Sequence, residues 1–369
     1  MVKQNPCSFE SKSPIHILAA SDNRYLVGLY TMLTSCAVSN NFEDALVFHV
    51  IDTGIHEAEL PRFTEFFKRF PNVRVEFHKV DEALFKSCTL KFRGGISAYS
   101  RLTMGDLLAG IQKCIYIDVD ILVLRNVREL WDIPADGNIL MAKVDDYWYG
   151  NDHNTLANDC PYAPKEEIEH YDYFNSGVIV CDLDAYRRTG VFQKMLELLM
   201  SHGHLTSGDQ PVINYVCRGK IGKLPYESNV LASLAPQAAG DYNYHFTGLT
   251  KPWKYAGFGT GGKLWTLFNS VFVRKYFRYN PPLGLRLKNA IFPFRSLFGA
   301  LFPSVFCFFI RQNEGKEMAE VKRECFLKYR NNLSRGGLDA ESYAYYMKKK
   351  KEWKSVAKQS HRKTGPFTA

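Results

Sequence analysis

Two carboxylates stand one residue apart inside an apolar run of the sequence, Ile115-Tyr116-Ile117-Asp118-Val119-Asp120-Ile121-Leu122-Val123. Ionised carboxylates need a compensating cation in such surroundings, because desolvating each one carries a large free-energy cost. Residues two apart in a strand point to the same side, so Asp118 and Asp120 repel each other unless a divalent ion bridges them. An Asp-x-Asp sequence is common by chance, but at the end of a strand it predicts a metal site.

The elements around this pair follow a repeated pattern near the start of the chain. Runs rich in Val, Ile and Phe predict strands, and the stretches between them predict helices. The predicted strands are 15–20, 45–51 and 73–80, with helices at 26–36 and 57–70. Such units produce parallel strands whose ligands bind at the carboxyl ends. We therefore expect a Rossmann-like, mostly parallel α/β sheet flanked by helices, with a ligand just after Ala20 and just after Ile117.

The same reading extends through the middle of the chain. Helices are predicted at 99–108, 191–200 and 209–217, strands at 114–117, 138–144 and 177–181, and a strand that runs into a loop at 242–252. The sequence has no repeat period, which argues against solenoids and propellers. It also lacks the phosphate-binding-loop, nucleophile-elbow and zinc-protease motifs, which excludes those three chemistries.

The basic charge of the chain is concentrated near its end. The formal net charge is +9, and from Arg311 onward 15 Lys and Arg stand against 7 Asp and Glu. A nearly neutral body with a basic end indicates attraction to an anionic surface more than a nucleic-acid-binding core, although a merely solvated helical face remains an alternative. The phenylalanine-rich segment 289–312 is interrupted by prolines, and we interpret it as an interfacial or packed segment.

Cysteine usage and the first residues bear on the compartment. The nine cysteines are scattered and include no C-x-x-C pair, which favours a reducing environment. Residues 1–13 are polar and lack the apolar run of a signal peptide. We therefore expect a cytoplasmic protein, with peripheral attachment to the inner face of the cytoplasmic membrane as an option.

Five stretches of the sequence, taken together and in order, resemble glycosyltransferase family 8, which includes bacterial lipopolysaccharide galactosyl- and glucosyltransferases. The stretches are Ala19-Ala20-Ser21-Asp22-Asn23-Arg24-Tyr25; Tyr99-Ser100-Arg101-Leu102; Tyr116-Ile117-Asp118-Val119-Asp120; Tyr173-Phe174-Asn175-Ser176-Gly177 with Asp209-Gln210; and His245-Phe246-Thr247-Gly248-Leu249-Thr250-Lys251-Pro252-Trp253. The resemblance implies a GT-A fold and a sugar-nucleotide donor. The implied organisation is an extension at 1–13, a GT-A catalytic domain at 14–270, and an apolar, basic C-terminal region with a helical tail at 271–369.

The resemblance also implies a metal and a diphosphate site. Asp118 and Asp120 resemble the metal-binding pair, and His245 resembles the third protein ligand. Such an oxygen-rich set suits Mn²⁺ or Mg²⁺ and not zinc. Gly248 would let the backbone approach the diphosphate, and Lys251 would place a positive charge against it.

The remaining donor contacts follow the same resemblance. Asp22 and Tyr25 resemble the residues that hydrogen-bond and stack on uracil, and Ala20 and Val119 belong to the same donor-binding stretches. Arg24 departs from the family pattern, so it could reach a phosphate or point to solvent.

Arg101 resembles a residue that holds donor oxygens with its guanidinium. Asn175 and Ser176 resemble residues beside the sugar, whereas Asp209 and Gln210 resemble the pair under the anomeric carbon. Together these implied roles make Gln210, Asp209 and Asn175 the candidate catalytic residues.

Two groups of carboxylates admit a second interpretation. Asp209 could also serve as a helix N-cap in Ser207-Gly208-Asp209. Asp145 and Asp146 follow a predicted core strand and are candidates for holding the acceptor, although a solvated acidic pair is an equal alternative.

The function expected from these features is metal-dependent transfer of a hexose, glucose or galactose, from a UDP-sugar to a saccharide or glycolipid acceptor. The resemblance implies retention at the anomeric carbon and a lipopolysaccharide-core or other surface-glycan acceptor. Two alternatives stay open at this point. One is a nucleotidyltransferase that uses the same Asp-x-Asp metal chemistry, and the other is a non-enzymatic sugar-binding relative.

Overall fold

The computed structural model describes residues 13–85, 95–145, 160, 163–202, 208–233, 239–248, 251–254, 259–274, 276–277, 335 and 338–364. The chain divides into two compact units, Met1–Val230 and Leu231–Ala369. The predicted segment 289–312 and the predicted site residue Asp146 lie outside the described residues.

The strands and helices of the described residues are named in chain order. The strands are β1 Ile15–Ser21, β2 Leu46–Asp52, β3 Val73–Lys79, β4 Lys113–Ile117, β5 Ile121–Leu122, β6 Leu140–Val144, β7 Phe174–Asp182, β8 Ile221–Lys223, β9 Val230–Leu231 and β10 Tyr244–His245. The helices are α1 Leu26–Ser39, α2 Glu59–Phe67, α3 Gly95–Ser100, α4 Met104–Leu107, α5 Val127–Trp131, α6 Lys165–Ile168, α7 Leu183–Arg188, α8 Val191–His202, α9 Gln210–Val216, α10 Gly259–Phe272 and α11 Ala340–Thr364.

The first unit is organised around a seven-stranded sheet of order β3-β2-β1-β4-β7-β6-β8. The first four strands of this order run parallel, β7 is antiparallel to both β4 and β6, and β8 is parallel to β6. The strand–helix alternation seen in the sequence produces the parallel half, which confirms the predicted mostly parallel, Rossmann-like sheet. Because β1 and β4 are parallel neighbours, Asp22 and Asp118 follow strand ends at the same edge of the sheet.

Aromatic packing closes one face of the parallel half. Helix α1 is buried along almost its whole length. Its Tyr30 ring lies 4.5 Å from Phe63 and 4.7 Å from Phe66 of α2, measured between centroids. Phe67 lies 5.5 Å from Phe48 in β2. The opposite face is covered by a second apolar cluster that includes Leu18, Ile51 and residues of α7 to α9. Burial of these side chains from both sides explains why the strands are so apolar.

Two predicted elements differ from the structure. The predicted helix 99–108 is divided into α3, a 3₁₀ turn at Arg101–Thr103 and α4. Hydroxyl groups of Ser100 and Thr103 donate to the carbonyls of Ser97 and Ser100, which offers the backbone a local alternative to a continuous helix. Among the described residues of the predicted strand 242–252, only Tyr244–His245 form a strand, β10.

The second unit contains β10, α10 and α11. The Phe268 ring of α10 meets the Trp353 ring of α11 edge to face at 5.1 Å. Lys349 of α11 forms a 2.7 Å ion pair with Asp241, which also accepts a hydrogen bond from the Tyr345 hydroxyl at 2.7 Å. The basic helical tail of the sequence is therefore present as α11 between Ala340 and Thr364. Across the described part of the chain, we find no helix with the length and apolar character that a membrane crossing requires.

Candidate active site

The centre of the candidate site in the first unit is a buried guanidinium, that of Arg101. Its Nη2 donates to Asp118 Oδ1 at 2.8 Å, its Nη1 to the carbonyl of Ser176 at 2.8 Å, and its Nε to the carbonyl of Ala98 at 3.0 Å. The charge lies 4.2 Å from the centroid of the Tyr116 ring. The guanidinium is thus engaged with protein groups, and it holds the strand ends together rather than facing outward.

The end of β4 is held in place by the same contacts. Asp118 Oδ1 also accepts from the Tyr116 hydroxyl at 2.9 Å, and the Asp118 backbone N–H donates to the carbonyl of Gly177 at 2.8 Å. The Asp118 side chain stays 21% exposed, whereas Asp120 is buried. Burial raises the pKa of Tyr116 well above its ordinary value, so its hydroxyl remains a donor. The first carboxylate is therefore oriented before any ligand binds.

Asp209 carries the second carboxylate near the Arg101 charge. Its Oδ2 lies 3.0 Å from Arg101 Nε, but that N–H points at the Ala98 carbonyl, and Oδ2 is buried without a hydrogen bond. Burial raises the pKa of Asp209 to about 6, although the Arg101 charge acts in the opposite direction. The N-cap alternative is wrong for its side chain, which makes no capping hydrogen bond at the start of α9. We call Arg101, Tyr116, Asp118 and Asp209 the Arg101 network.

A second set of contacts orients Gln210. Its Nε2 donates to Asp145 Oδ2 at 2.9 Å, and its Oε1 accepts from the Ser176 backbone N–H at 3.0 Å. Asn175 Nδ2 donates to the same Asp145 oxygen at 3.1 Å. These bonds define which end of the Gln210 amide is oxygen. The Asp145 carboxylate is buried and serves these two amides, so the solvated alternative for it is wrong.

Two asparagines that we did not identify from the sequence complete this region. Asn229 Nδ2 donates to Asn175 Oδ1 at 2.8 Å, and Asn214 brackets the Phe174 backbone by accepting from its N–H at 2.7 Å and donating to its carbonyl at 2.9 Å. Asn214 lies one helical turn after Gln210 on α9. An amide four residues after Gln210, in a helix that is otherwise mostly apolar, is the sequence feature that could have identified Asn214.

The turn after β1 is organised by Asp22. Its Oδ1 accepts from the backbone N–H of Arg24 at 2.8 Å and of Tyr25 at 3.2 Å, which caps the short 3₁₀ turn at Asn23–Tyr25. Its Oδ2 pairs with the Arg24 side chain, which is 72% exposed. Arg24 therefore faces solvent beside Asp22. Ala20 is buried at the end of β1, and Tyr25 is half-buried.

The third predicted metal ligand and the predicted diphosphate contacts lie in the second unit. His245 is buried in β10. Gly248 has a φ of +73°, a conformation that disfavours a side chain. The Lys251 Nζ is buried and donates to the carbonyl of Phe246 at 2.7 Å. The roles of these three residues stay predictions.

The predicted metal ligands offer oxygen and nitrogen donors. Asp118 and Asp120 offer carboxylate oxygens and His245 an imidazole nitrogen. Hard divalent ions such as Mn²⁺ and Mg²⁺ take oxygen-rich ligand sets, and Mn²⁺ accepts an imidazole as well. The residue types therefore fit the predicted ion.

Comparisons with known proteins agree on one family. The model of glycosyl transferase family 8 matches residues 16–257. The chain is 28% identical to General stress protein A of Bacillus subtilis over 207 residues, which span 55% of this chain and 68% of the relative. It is 25% identical to a putative glycosyltransferase of Haemophilus influenzae over 210 residues, 56% of this chain and 60% of that one. It is 26% identical to the probable galacturonosyltransferase-like 4 of Arabidopsis thaliana over 200 residues, which span 52% of this chain and 56% of that relative. For the last two, the match spans less than two thirds of the relative's length.

Solved structures agree with the fold. The galactosyltransferase LgtC, in complex with donor and acceptor sugar analogs, superposes with a TM-score of 0.60 at 23% identity, over 74% of this chain and 100% of that one. The glycosyltransferase GlyE of Streptococcus pneumoniae superposes with a TM-score of 0.53 at 17% identity, over 72% of this chain and 64% of that one. The predicted GT-A architecture is confirmed. The chain belongs to glycosyl transferase family 8 and is, by family, a glycosyltransferase.

Proposed function

We propose that this glycosyltransferase moves glucose or galactose from a UDP-sugar to a saccharide acceptor, such as lipopolysaccharide core or another surface glycan, with retention at the anomeric carbon. The observation that carries the proposal is the edge of the sheet where β1 and β4 end side by side, with Asp22 after one strand and Asp118 after the other. In parallel α/β sheets this edge is where nucleotides bind.

A divalent ion, Mn²⁺ or Mg²⁺, belongs to the proposal. Asp118 and Asp120 would hold it, and the sequence motif nominates His245 as the third ligand. Such an ion, when bound, supplies positive charge for the departing diphosphate. The buried Arg101 contributes differently, because its hydrogen bond to Asp118 Oδ1 fixes the direction of that carboxylate.

The protein's own groups divide the remaining work. Asp22 and Tyr25 are proposed to bind uracil, with Ala20 and Val119 beside them, and Gly248 and Lys251 are proposed to bind the diphosphate. Gln210, with Asp209 and Asn175 next to it, is proposed to face the reacting carbon. Ser176 and Asp145 hold the two ends of the Gln210 amide, which presets its orientation and lowers the entropy lost in the transition state. No carboxylate is assigned as a covalent nucleophile, so front-face attack assisted by the leaving phosphate is our proposal.

Acceptor and membrane contacts form the outer part of the proposal. Asp145 and Asp146 are proposed near the acceptor, with Asp145 acting through Gln210 and Asn175. The basic C-terminal region, including α11, is proposed to attract an anionic membrane surface at the cytoplasmic face. Sedimentation with anionic vesicles at low salt, lost at high salt, is the expected result. A full-length protein that stays in the supernatant would contradict the membrane contact alone.

The product of the reaction tests the function itself. We would incubate the protein with a panel of UDP-sugars, Mn²⁺ and saccharide acceptors, and identify the nucleotide that is released. Free UDP together with an extended saccharide is expected. Pyrophosphate or UMP would favour the nucleotidyltransferase, and binding without turnover of any donor would favour a non-enzymatic sugar-binding protein.

Substitution of the buried Asp120 tests the metal. Asp120→Asn removes a charge that matters more in the transition state than in the ground state, so we expect a loss of about a hundredfold in kcat. Asp136→Asn, which changes an exposed carboxylate in a turn, is the matched control and should retain the wild-type rate. Activity that persists in EDTA, or an Asp120→Asn variant with normal turnover, would remove the basis for the metal assignment.

A further inference from the structure

A group of metal-ligating side chains outside the candidate active site crosses three neighbouring strands. His16 lies in β1, His49 in β2, and Glu76 and His78 in β3. The register pairs Leu18 with His49, His49 with Glu76, and Ile51 with His78. Partners in a parallel register and residues two apart share a face, so all four side chains lie on one side of the sheet. We call them the histidine cluster.

Two side chains of the histidine cluster lie close to the same atom, His49 Nδ1. His49 Nδ1 lies 3.0 Å from His78 Nε2 and 3.4 Å from Glu76 Oε2. The three residues can each offer one ligand atom within 4.8 Å of the others. Ligands of a tetrahedral zinc ion at about 2.0–2.1 Å from the metal are roughly 3.3 Å apart, which is close to the two separations measured from His49 Nδ1.

His16, the fourth residue of the histidine cluster, contacts the His49 ring. His16 Nδ1 lies 2.9 Å from His49 Nε2. If His49 ligates through Nδ1, its Nε2–H can donate to His16, which is the outer contact that ligating histidines commonly make.

The cluster is reachable from solvent on one side. His49 is 1% exposed, but the Glu76 side chain is 42% exposed and His78 is half-buried. Strand β3 is the edge strand of the sheet. An ion could therefore enter beside Glu76 and fill the remaining coordination position with water.

We propose that His49, Glu76 and His78 form a second metal site, selective for a borderline transition-metal ion such as Zn²⁺. Two imidazoles and one carboxylate suit zinc, whereas the Asp118 and Asp120 pair suits a harder ion, so the two sites differ in donor chemistry. The site joins the edge strand β3 to β2. A metal-free row in which Glu76 pairs with His49 Nδ1 is the alternative, and it predicts that the protein retains no zinc.

Zinc binding to the untagged full-length protein tests this proposal. The protein is stripped of metal with a chelator, loaded with zinc chloride, passed through gel filtration and analysed for metal content. His78→Gln is expected to contain one zinc fewer per chain than the wild type, and Glu76→Gln to bind zinc at least about tenfold more weakly. His56→Gln, which changes an exposed histidine away from the cluster, should match the wild type.

Two further readouts separate a lost site from a misfolded variant. Zinc should raise the Tm of the wild type and of His56→Gln but not that of His78→Gln, provided that all three have the same far-UV circular dichroism without metal. Cobalt substituted into the wild type should show the visible absorption of four-coordinate cobalt. Equal zinc content in the wild type and in His78→Gln, or no zinc retained by the wild type at micromolar concentration, overturns the proposal. Neither result touches the release of UDP, which tests the proposed function separately.

Discussion

The Arg101 network and the histidine cluster bury polar side chains in the same sheet by different means. The network places a guanidinium against Asp118 and Asp209, so it depends on opposite full charges. The histidine cluster links the rings of His16, His49 and His78 through nitrogen pairs at 2.9 and 3.0 Å. Burial favours the neutral form of both groups, so it raises the pKa of Asp209 and lowers the pKa of His49.

The largest expected effect comes from removing the cation of the Arg101 network. Arg101→Met leaves Asp118 and Asp209 without their shared partner, and breaking a buried ion pair in this way typically costs about 3–5 kcal/mol. The free energy of unfolding in urea measures the loss.

The matched control is an arginine in an exposed pair. Arg62 lies 2.9 Å from Glu59, with 72% of its side chain exposed, so Arg62→Met should cost no more than about 1 kcal/mol. If Arg101→Met and Arg62→Met have the same free energy of unfolding, the Arg101 network does not stabilise the fold through its buried charges.

The stability that Asp209 contributes should depend on pH. Its pKa is raised from 3.8 to about 6, so the folded protein holds this proton more tightly than the unfolded chain. The resulting stability is fully present below pH 3.8 and is lost as the pH rises through about 6. The difference between the wild type and Asp209→Asn should change by about 2–3 kcal/mol between pH 3 and pH 7. A difference that is flat over this range would contradict the raised pKa of Asp209.

The opposite pH dependence is expected at His49, with a smaller effect in the accessible range. Its pKa is lowered from 6.5 to about 3, so between these pH values the His49 ring is protonated in the unfolded chain and neutral in the folded protein. This contribution is present above pH 6.5 and is lost as the pH falls toward 3. In metal-free buffer, the wild type should lose about 2 kcal/mol relative to His49→Leu between pH 7 and pH 5. Parallel pH profiles of the two proteins would show that the ring titrates normally.

The parallel half of the sheet was predictable because its strands are short apolar runs separated by helical stretches. The strands predicted at 15–20, 45–51 and 73–80 are β1, β2 and β3 with ends shifted by one residue at most. Local patterning succeeds there because β1 and β2 are buried on both faces and the edge strand β3 still alternates apolar Val73, Val75 and Phe77 with polar residues. The helix predicted at 99–108 failed at Arg101–Thr103, because hydroxyl-to-carbonyl bonds are not visible in an apolar periodicity.

The candidate site was predictable only where residues form a compact motif. The motif stretches named Arg101, Asp118, Asp209 and Gln210, but not the contacts among them. Asn214 and Asn229 escaped notice because single amides have no characteristic spacing. Their roles depend on Phe174 and Asn175, which lie 40 and 54 residues away along the chain.

The fold class, the family resemblance and the chemical types of the candidate ligands could be read from the amino-acid sequence, because they depend on periodicity and on short local motifs. How the side chains are used depends on contacts between distant residues, which appear only in the folded chain. The fold directs the Arg101 charge inward to Asp118, leaves Asp209 Oδ2 buried without a hydrogen bond, and turns Asp145 toward Gln210. The histidine cluster shows the same dependence. His16 and His49 are 33 residues apart and His49 and His78 are 29 apart, and only the register of parallel strands brings such distant rings into contact.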